Sequence, residues 1–447
     1  MSAVPIARLQ TGRMDGYRTV LSPTSNQTAT RKMSPDDATS APALRQPPPP
    51  HVPPDLVFNI GRYFAPTTDP DPFHASARIH EELPEIFYSN ARGNALGSDG
   101  WFVTRYEDIR EIYQNNELYS TYNQVNFQEM VGETFLMLPL SVDPPEHSIY
   151  RILLNPWFSP KVIKGLEEKI TATVNSLIDG FIDKGECDAA YDFGRIFPVR
   201  VFMGLMGFPP EMMEEFLQWE YAILHSFYDP QWVAWGIGSA IAYLRSFIEE
   251  TKRKPSDNLT SRIVHGQVDG RPLTDDEMLG IVAFLWVGGL DTVAATTALS
   301  FRKLAFDPEL QAMLRARPDT HVEAVEEFLR MHPTVNVTRT SKKDHAFRGM
   351  TIKKGEKITG LNFAGNYDAA EFEDPRSFRV DRPANRHFTL AGGSHRCLGA
   401  HLARRELRIA LTEFLRRVPP FEIAPGADVT VHPGLMATAH LPVVWKR

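Results

Sequence analysis

Leu390-Ala-Gly-Gly-Ser-His-Arg-Cys-Leu-Gly399 decides how the rest of this 447-residue chain is read. Cys397 stands directly ahead of a run in which Leu407, Ala410, Leu411, Phe414 and Leu415 recur at helical spacing. With only two cysteines in the chain, no disulfide framework is being built. A thiolate is a strong metal ligand, and its pKa falls at a helix N-terminus and beside cations. Here the helix starts just after the sulfur, and His395 and Arg396 flank it. Glycines on both sides let backbone N–H groups approach the sulfur and tune a bound metal. A lone cysteine is ordinarily a small buried hydrophobe, which is the reading for Cys187. The neighbours of Cys397 favour a metal ligand instead.

Composition sets the outer limits. The chain is 43% hydrophobic, enough for one large domain or two. Its net charge of −7, from 48 basic and 55 acidic residues, gives no reason to expect nucleic-acid binding. No apolar run reaches the ~20 residues of a membrane span. The N-terminus carries Arg8, Arg13, Asp15 and Arg18 without an apolar core, so it does not read as a secretory signal. A cytoplasmic protein without membrane attachment is the expectation.

Residues 1–53 are rich in Ser, Thr, Pro and Ala and close on Pro47-Pro-Pro-Pro50, which predicts a flexible extension ahead of one continuous domain over 54–447. Helical patterns dominate that domain. Thr274-Asp-Asp-Glu277 is a capping box opening an apolar helix that runs to about Phe306. Thr320-His-Val-Glu323 reads as a second box, with the helix stopped at His332-Pro333. Ala346 to Phe363 reads as a hairpin turning at Lys353-Lys-Gly-Glu356, and Leu441 to Trp445 as a terminal strand. The fold class is mainly α with a minor β region.

Inside the apolar helix, Ala283-Phe-Leu-Trp-Val-Gly-Gly-Leu-Asp-Thr-Val293 is interrupted by two glycines and an Asp-Thr pair. Each glycine costs ~1 kcal/mol against alanine in a helix interior, and Asp291 is expensive there unless paired. The Thr292 hydroxyl can reach the Gly288 carbonyl and loosen the turn, leaving room for a small ligand, water and protons. Close helix crossing is the plainer use of such glycines. Further on, Glu327-Phe-Leu-Arg330 sets an acid and a base on one helical face.

Gly393, His395, Cys397 and Gly399 match in register the haem-binding loop of the cytochrome P450 family, Phe-Gly-x-Gly-x-His/Arg-x-Cys-x-Gly. Leu390 stands where that pattern has Phe, and Ala391 where it has Gly; Ala391 is expected to adopt a backbone angle that does not need glycine. Gly288-Gly-Leu-Asp-Thr292 resembles the family's oxygen-binding kink, and Glu327 with Arg330 its buried Glu-x-x-Arg pair. That pair is completed in the family by a basic residue before the haem loop, here Arg382 or Arg386. The likeness extends from Pro49 to the C-terminus and is strongest to the soluble bacterial camphor-hydroxylating subgroup.

The resemblance implies the P450 fold, with a long central helix over a haem b ligated by Cys397. It implies that Asp291 relays protons and that Thr292 serves the oxygen-binding step, the two glycines opening the groove. Arg151, Arg339, His395 and His147 are the implied propionate partners, with Leu390, Gly393 and Gly399 around the ligand. The matching pocket residues are Phe135, Met137, Phe284, Val287, Gly288, Val335 and Leu435. Phe135 replaces the tyrosine that fixes camphor, so a compact apolar substrate is expected: a terpenoid, a norisoprenoid or a small aromatic. Asn126 and Asn336 are candidate polar anchors. No Gly-x-Gly-x-x-Gly follows a strand, so electrons must come from another protein. Arg105, Arg110, Arg396, Arg404 and Arg405 suggest a basic face for an acidic [2Fe-2S] ferredoxin, served by its reductase. A ligand-binding sensor and a peroxide-driven hydroxylase are the alternatives; the Asp-Thr pair speaks against both.

Overall fold

A computed structural model describes residues 47–73, 78–89, 99–226, 229–432 and 437–447. All of them lie in one compact unit, Ala43–Arg447. The sequence reading of residues 1–46, and of Leu435, falls outside the described residues.

Helices form most of the molecule, with the sheet a minor part, as the residue patterns predict. The capping box at Thr274 forms as expected. Glu277 N–H donates to the Thr274 hydroxyl at 3.2 Å, and Thr274 N–H to the Glu277 carboxylate at 2.7 Å. From there the helix runs Asp275–Leu290, breaks at Asp291 and resumes as Thr292–Phe306. By length and composition this is the one helix among the described residues that could cross a membrane, contrary to the expectation of no such run. Two observations make it a core helix: 67% of its most apolar window is buried inside the protein, and it carries Asp291.

Gly280 and Gly289 both serve close packing. A Cβ on Gly280 would sit 2.1 Å from the Leu136 carbonyl oxygen, and one on Gly289 would sit 2.5 Å from the Phe202 ring. Gly288 differs, with nothing within 4 Å of its would-be Cβ. The pair therefore divides its work: Gly289 permits a helix crossing and Gly288 alone leaves open space.

The helix that follows Cys397, Ala400–Arg417, packs under the second half of the long helix. Phe301 and Phe414 meet at 4.5 Å there, with Phe193 against both. A five-stranded sheet flanks the helices in the order Ile86–Ser89, Gly100–Val103, Lys357–Gly360, Val337–Ser341, Tyr119–Ser120. Val52 already packs into the apolar cluster beneath this sheet.

Two local expectations are corrected. Thr320 caps nothing, because its hydroxyl donates to the Arg317 carbonyl at 2.8 Å within a preceding 3-10 turn. The hairpin pairs His345–Phe347 with Met350–Ile352 and turns at Arg348-Gly349, both with positive φ. The strand after Lys353–Glu356, Lys357–Gly360, leaves for the larger sheet.

Candidate active site

The Cys397 loop is held by its own backbone. Cys397 N–H donates to the Leu390 carbonyl at 2.9 Å, and Ala391 N–H to the Phe388 carbonyl at 2.7 Å. Leu390 is buried, while Phe388 stacks on Tyr106 at 4.4 Å and meets Tyr113 edge-on. Cys397 has exposed surface, yet the protein around it desolvates the thiol. The sulfur thus keeps open surface that a ligand atom can reach, inside crowded surroundings. Burial pushes its pKa up, against the pull of the Gly399 N–H and of Arg151, Arg404 and Arg396. The expectation of a lowered pKa is thus reversed, because desolvation outweighs the helix end and the cations. A thiol so placed loses its proton to a metal ion more readily than to water.

The loop also corrects the reading of Ala391. Its φ is +54°, in the left-handed region where glycine is favoured. An L-residue there costs about 1–2 kcal/mol, partly offset by the greater unfolded-state freedom of glycine. Ala391→Gly is expected to raise stability by about 0.5–1 kcal/mol in urea denaturation. An unchanged or lower midpoint would show that the loop relaxes around the alanine.

The long helix is mostly buried around its break. There Phe284, Val287, Gly288 and Thr292 retain open surface, as does Gly289, while the other residues between Met278 and Ala298 are buried. The first four recur at three- and four-residue spacing, so they share one face. The Thr292 hydroxyl donates to the Gly288 carbonyl at 3.1 Å, as the residue pattern predicts. Val335 and Asn336 are likewise half-open. Phe135 and Met137 are fully packed on the segment that crosses the long helix at Gly280. Asn126 lies exposed at the surface with its amide on Glu129, which removes it as a pocket anchor. The side-chain oxygen of Asn336 is occupied by the backbone N–H of Asn362, at 2.7 Å.

Four basic groups gather at the other side of the loop. Arg339 is 2% exposed and, among the described residues, has no carboxylate at salt-bridge distance and leaves one Nη without a hydrogen bond. Its guanidinium lies over the Tyr113 ring at 5.2 Å. His395 stacks on His147 at 4.1 Å and bonds to the Thr121 hydroxyl at 3.1 Å. Burial, first of all, lowers both rings, His147 to about 4 and His395 to about 3. Arg151 donates to the Arg396 carbonyl at 2.9 Å. A buried, partly unsatisfied guanidinium with no acid beside it calls for an anion. Sulfur ligand, open apolar stripe and buried cation together fit a haem b.

Behind the loop, Glu327 accepts from Arg330 at 2.8 Å and from Arg382 at 2.9 Å, all three buried. The choice between two arginines is settled: Arg386 is mostly exposed and pairs with Glu371.

The basic face is smaller than expected. Arg404 is bound to Glu326, Arg405 to Glu167, Arg110 to Glu107, and Arg105 to Glu85 and Asp368. Of the four arginines implied as partner contacts, together with Arg405, Arg396 alone has no carboxylate at salt-bridge distance among the described residues.

The partners of Asp291 escape sequence reading. Asp291 is 8% exposed, and its Oδ2 lies 3.2 Å from His225 Nε2. The same nitrogen lies 3.3 Å from Glu220, whose other oxygen accepts from Arg195 at 3.3 Å. Two acids face two bases, so their charges balance.

Three kinds of comparison place this geometry among known proteins. A family model described as cytochrome P450 matches residues 221–432. A probable cytochrome P450 127A1 of Sinorhizobium fredii is 34% identical over 89% of this chain and 96% of its own. A steroid C26-monooxygenase of Mycolicibacterium smegmatis is 29% identical over 77% and 87%. The crystal structure of CYP101C1 is similar with a TM-score of 0.78 and 32% identity, covering 89% of this chain and 100% of that one.

Proposed function

Since the chain belongs to the cytochrome P450 family, we propose that it inserts one oxygen atom of O2 into a C–H bond of a small hydrophobic molecule. The observation that carries this reading is a Cys397 sulfur that keeps open surface, with the Gly399 N–H on it, in a fold that also holds a buried, partly unsatisfied Arg339. Haem bound there supplies the activation of O2 by two electrons. Cys397 is the ligand, with the Gly399 N–H directed at its sulfur. Arg339 offers its free Nη to a propionate, and Arg151, His147 and His395 line the same edge. Asp291 and Thr292 sit at the helix break, where a carboxyl can hold a proton and a hydroxyl can pass it on. Phe284, Val287 and Val335 present apolar surface that orients a compact terpenoid, norisoprenoid or small aromatic by shape and keeps bulk water out. Electrons come from a [2Fe-2S] ferredoxin with its reductase in the cytoplasm, and Arg396, which has no carboxylate at salt-bridge distance among the described residues, is the cation to meet it.

The first test is the absorption spectrum of the reduced, CO-bound protein, followed by titration of terpenoids against the ferric form. A strongly red-shifted Soret band is expected; an unshifted, histidine-like band would overturn the Cys397 assignment. With a ligand in hand, Thr292→Ala is expected to keep NADH consumption while product falls and peroxide rises. General acid–base groups contribute about 10²–10⁴-fold, so the loss of coupling must be large. Unchanged coupling removes the role.

A further inference from the structure

Three atoms of metal-ligand type converge where two helices cross. They are Nε2 of His225, which ends the helix Met213–His225, a carboxylate oxygen of Glu220 on that helix, and one of Asp291 at the break of the long helix. All lie within 4.8 Å of one another, the one such trio of His, Cys, Asp or Glu among the described residues. Nε2 stands 3.2 Å from Asp291 Oδ2 and 3.3 Å from Glu220 Oε1. A tetrahedral zinc ion holds nitrogen and oxygen ligands at about 2.0–2.2 Å, which sets neighbouring donors about 3.4 Å apart. Two edges of that tetrahedron are already at length.

A proton on Nε2 serves these acids incompletely. Its single N–H reaches Asp291 Oδ2, while Glu220 Oε1 has no hydrogen bond among the described residues, although Glu220 is only 2% exposed. Arg195 holds the other oxygen of Glu220, at 3.3 Å. A buried carboxylate oxygen without a donor is unfavourable, and a cation bonded to all three atoms removes that defect.

We propose that Glu220, His225 and Asp291 form a binding site for a divalent transition-metal ion of the zinc class, whose occupancy lowers turnover. Ligation stands on the geometry alone; the effect on turnover rests on the reading of Asp291 as a proton donor. An imidazole with two carboxylates suits Zn²⁺, whereas Mg²⁺ and Ca²⁺ take oxygen ligands. Three protein ligands leave the fourth position to water, as in open zinc sites. The His225 side chain is 21% exposed, against 10% for Asp291 and 3% for Glu220, and gives the ion its way in from solvent. On binding, the Nε2–H bond breaks, its proton leaves to solvent, and one Zn–N and two Zn–O bonds form without any change of oxidation state. Arg195 stays beside Glu220 and opposes the cation, which favours a reversible site. Once Oδ2 is ligated, Asp291 no longer carries a proton there.

The test adds ZnCl2 to the holoenzyme, so that haem already occupies Cys397. Bound zinc is read by equilibrium dialysis, and turnover with ferredoxin and reductase supplied. One tight equivalent per haem is expected, undisturbed by excess Mg²⁺, with turnover falling at least about 10-fold and returning on chelation. Reduction of cytochrome c by the ferredoxin and reductase alone is expected to be unaffected. His225→Gln and Glu220→Gln are each expected to weaken binding at least about 10-fold, and His401→Gln, at an exposed histidine elsewhere, to leave it intact. The CO-bound spectrum checks that each variant folds. Where one does not, zinc-edge anomalous density in soaked wild-type crystals decides, and it is expected between the three side chains. No tight equivalent, or one that survives both cluster substitutions, overturns the site. Zinc bound there with turnover unchanged keeps the site and overturns the proton role of Asp291.

Discussion

Gly393→Ala is expected to yield a protein that folds poorly and holds little haem. The added Cβ would lie 2.0 Å from the Tyr113 carbonyl oxygen, at a φ of +66° that alanine rarely adopts. Tyr113 cannot yield. Tyr113 belongs to the helix Tyr106–Gln114, and its hydroxyl donates to Asn362 at 2.5 Å. Its ring is held between Arg339 and Phe388. The loop must move, and it carries His395 and Cys397 with it. Overpacking costs about 1–3 kcal/mol and the left-handed angle about 1–2 kcal/mol more. Gly132→Ala separates the two: its φ is +79°, with nothing within 4 Å of the new methyl. That control is expected to lose only the smaller, conformational part and to keep a full CO-bound band. A Gly393→Ala protein with normal haem content would mean that the loop does not depend on contact with Tyr113.

What the residues alone disclose follows a physical rule here: chemistry written within one turn or loop is legible, and chemistry assembled across the fold is not. The Thr274 capping box and the Thr292–Gly288 hydrogen bond join residues three or four apart, and both form as read. The sulfur ligand and its glycines lie within ten residues. Thr320 shows the limit of even this, since a preceding turn offers its hydroxyl a carbonyl and the box never closes. Charges fail for the opposite reason. Arg404 looks free in sequence, but Glu326 reaches it from a helix 78 residues earlier. His225 and Glu220 are invisible because their meeting with Asp291 is made by the crossing of two helices, with no local signature. Ala391 is a conflict between levels, an ordinary residue at an angle that asks for glycine, and such conflicts tend to gather at functional loops.

Glu327→Gln is expected to be among the most damaging single changes in the protein. Its carboxylate is 1% exposed and accepts from Arg330 Nε and Nη2, Arg382 Nε, Asn385 Nδ2 and the Arg379 backbone N–H. Arg330 spends its remaining donor on the Asn366 and Pro375 carbonyls, and it shares Ser377 with Arg382. The cluster thereby ties the helix His321–Met331 to the strand-free segment that leads into the Cys397 loop. Glutamine keeps the shape but removes the charge, leaving two buried guanidinium groups without a counter-ion. Breaking a buried pair from one side costs about 3–5 kcal/mol, against a total stability of only about 5–15 kcal/mol. Arg386→Ala, at the position whose side chain is mostly exposed, is expected to change stability by less than about 0.5 kcal/mol. Chemical denaturation of the two variants checks the contrast. If Glu327→Gln unfolds at the wild-type midpoint, then the hydrogen bonds to backbone carbonyls carry the cluster and the ion pair does not.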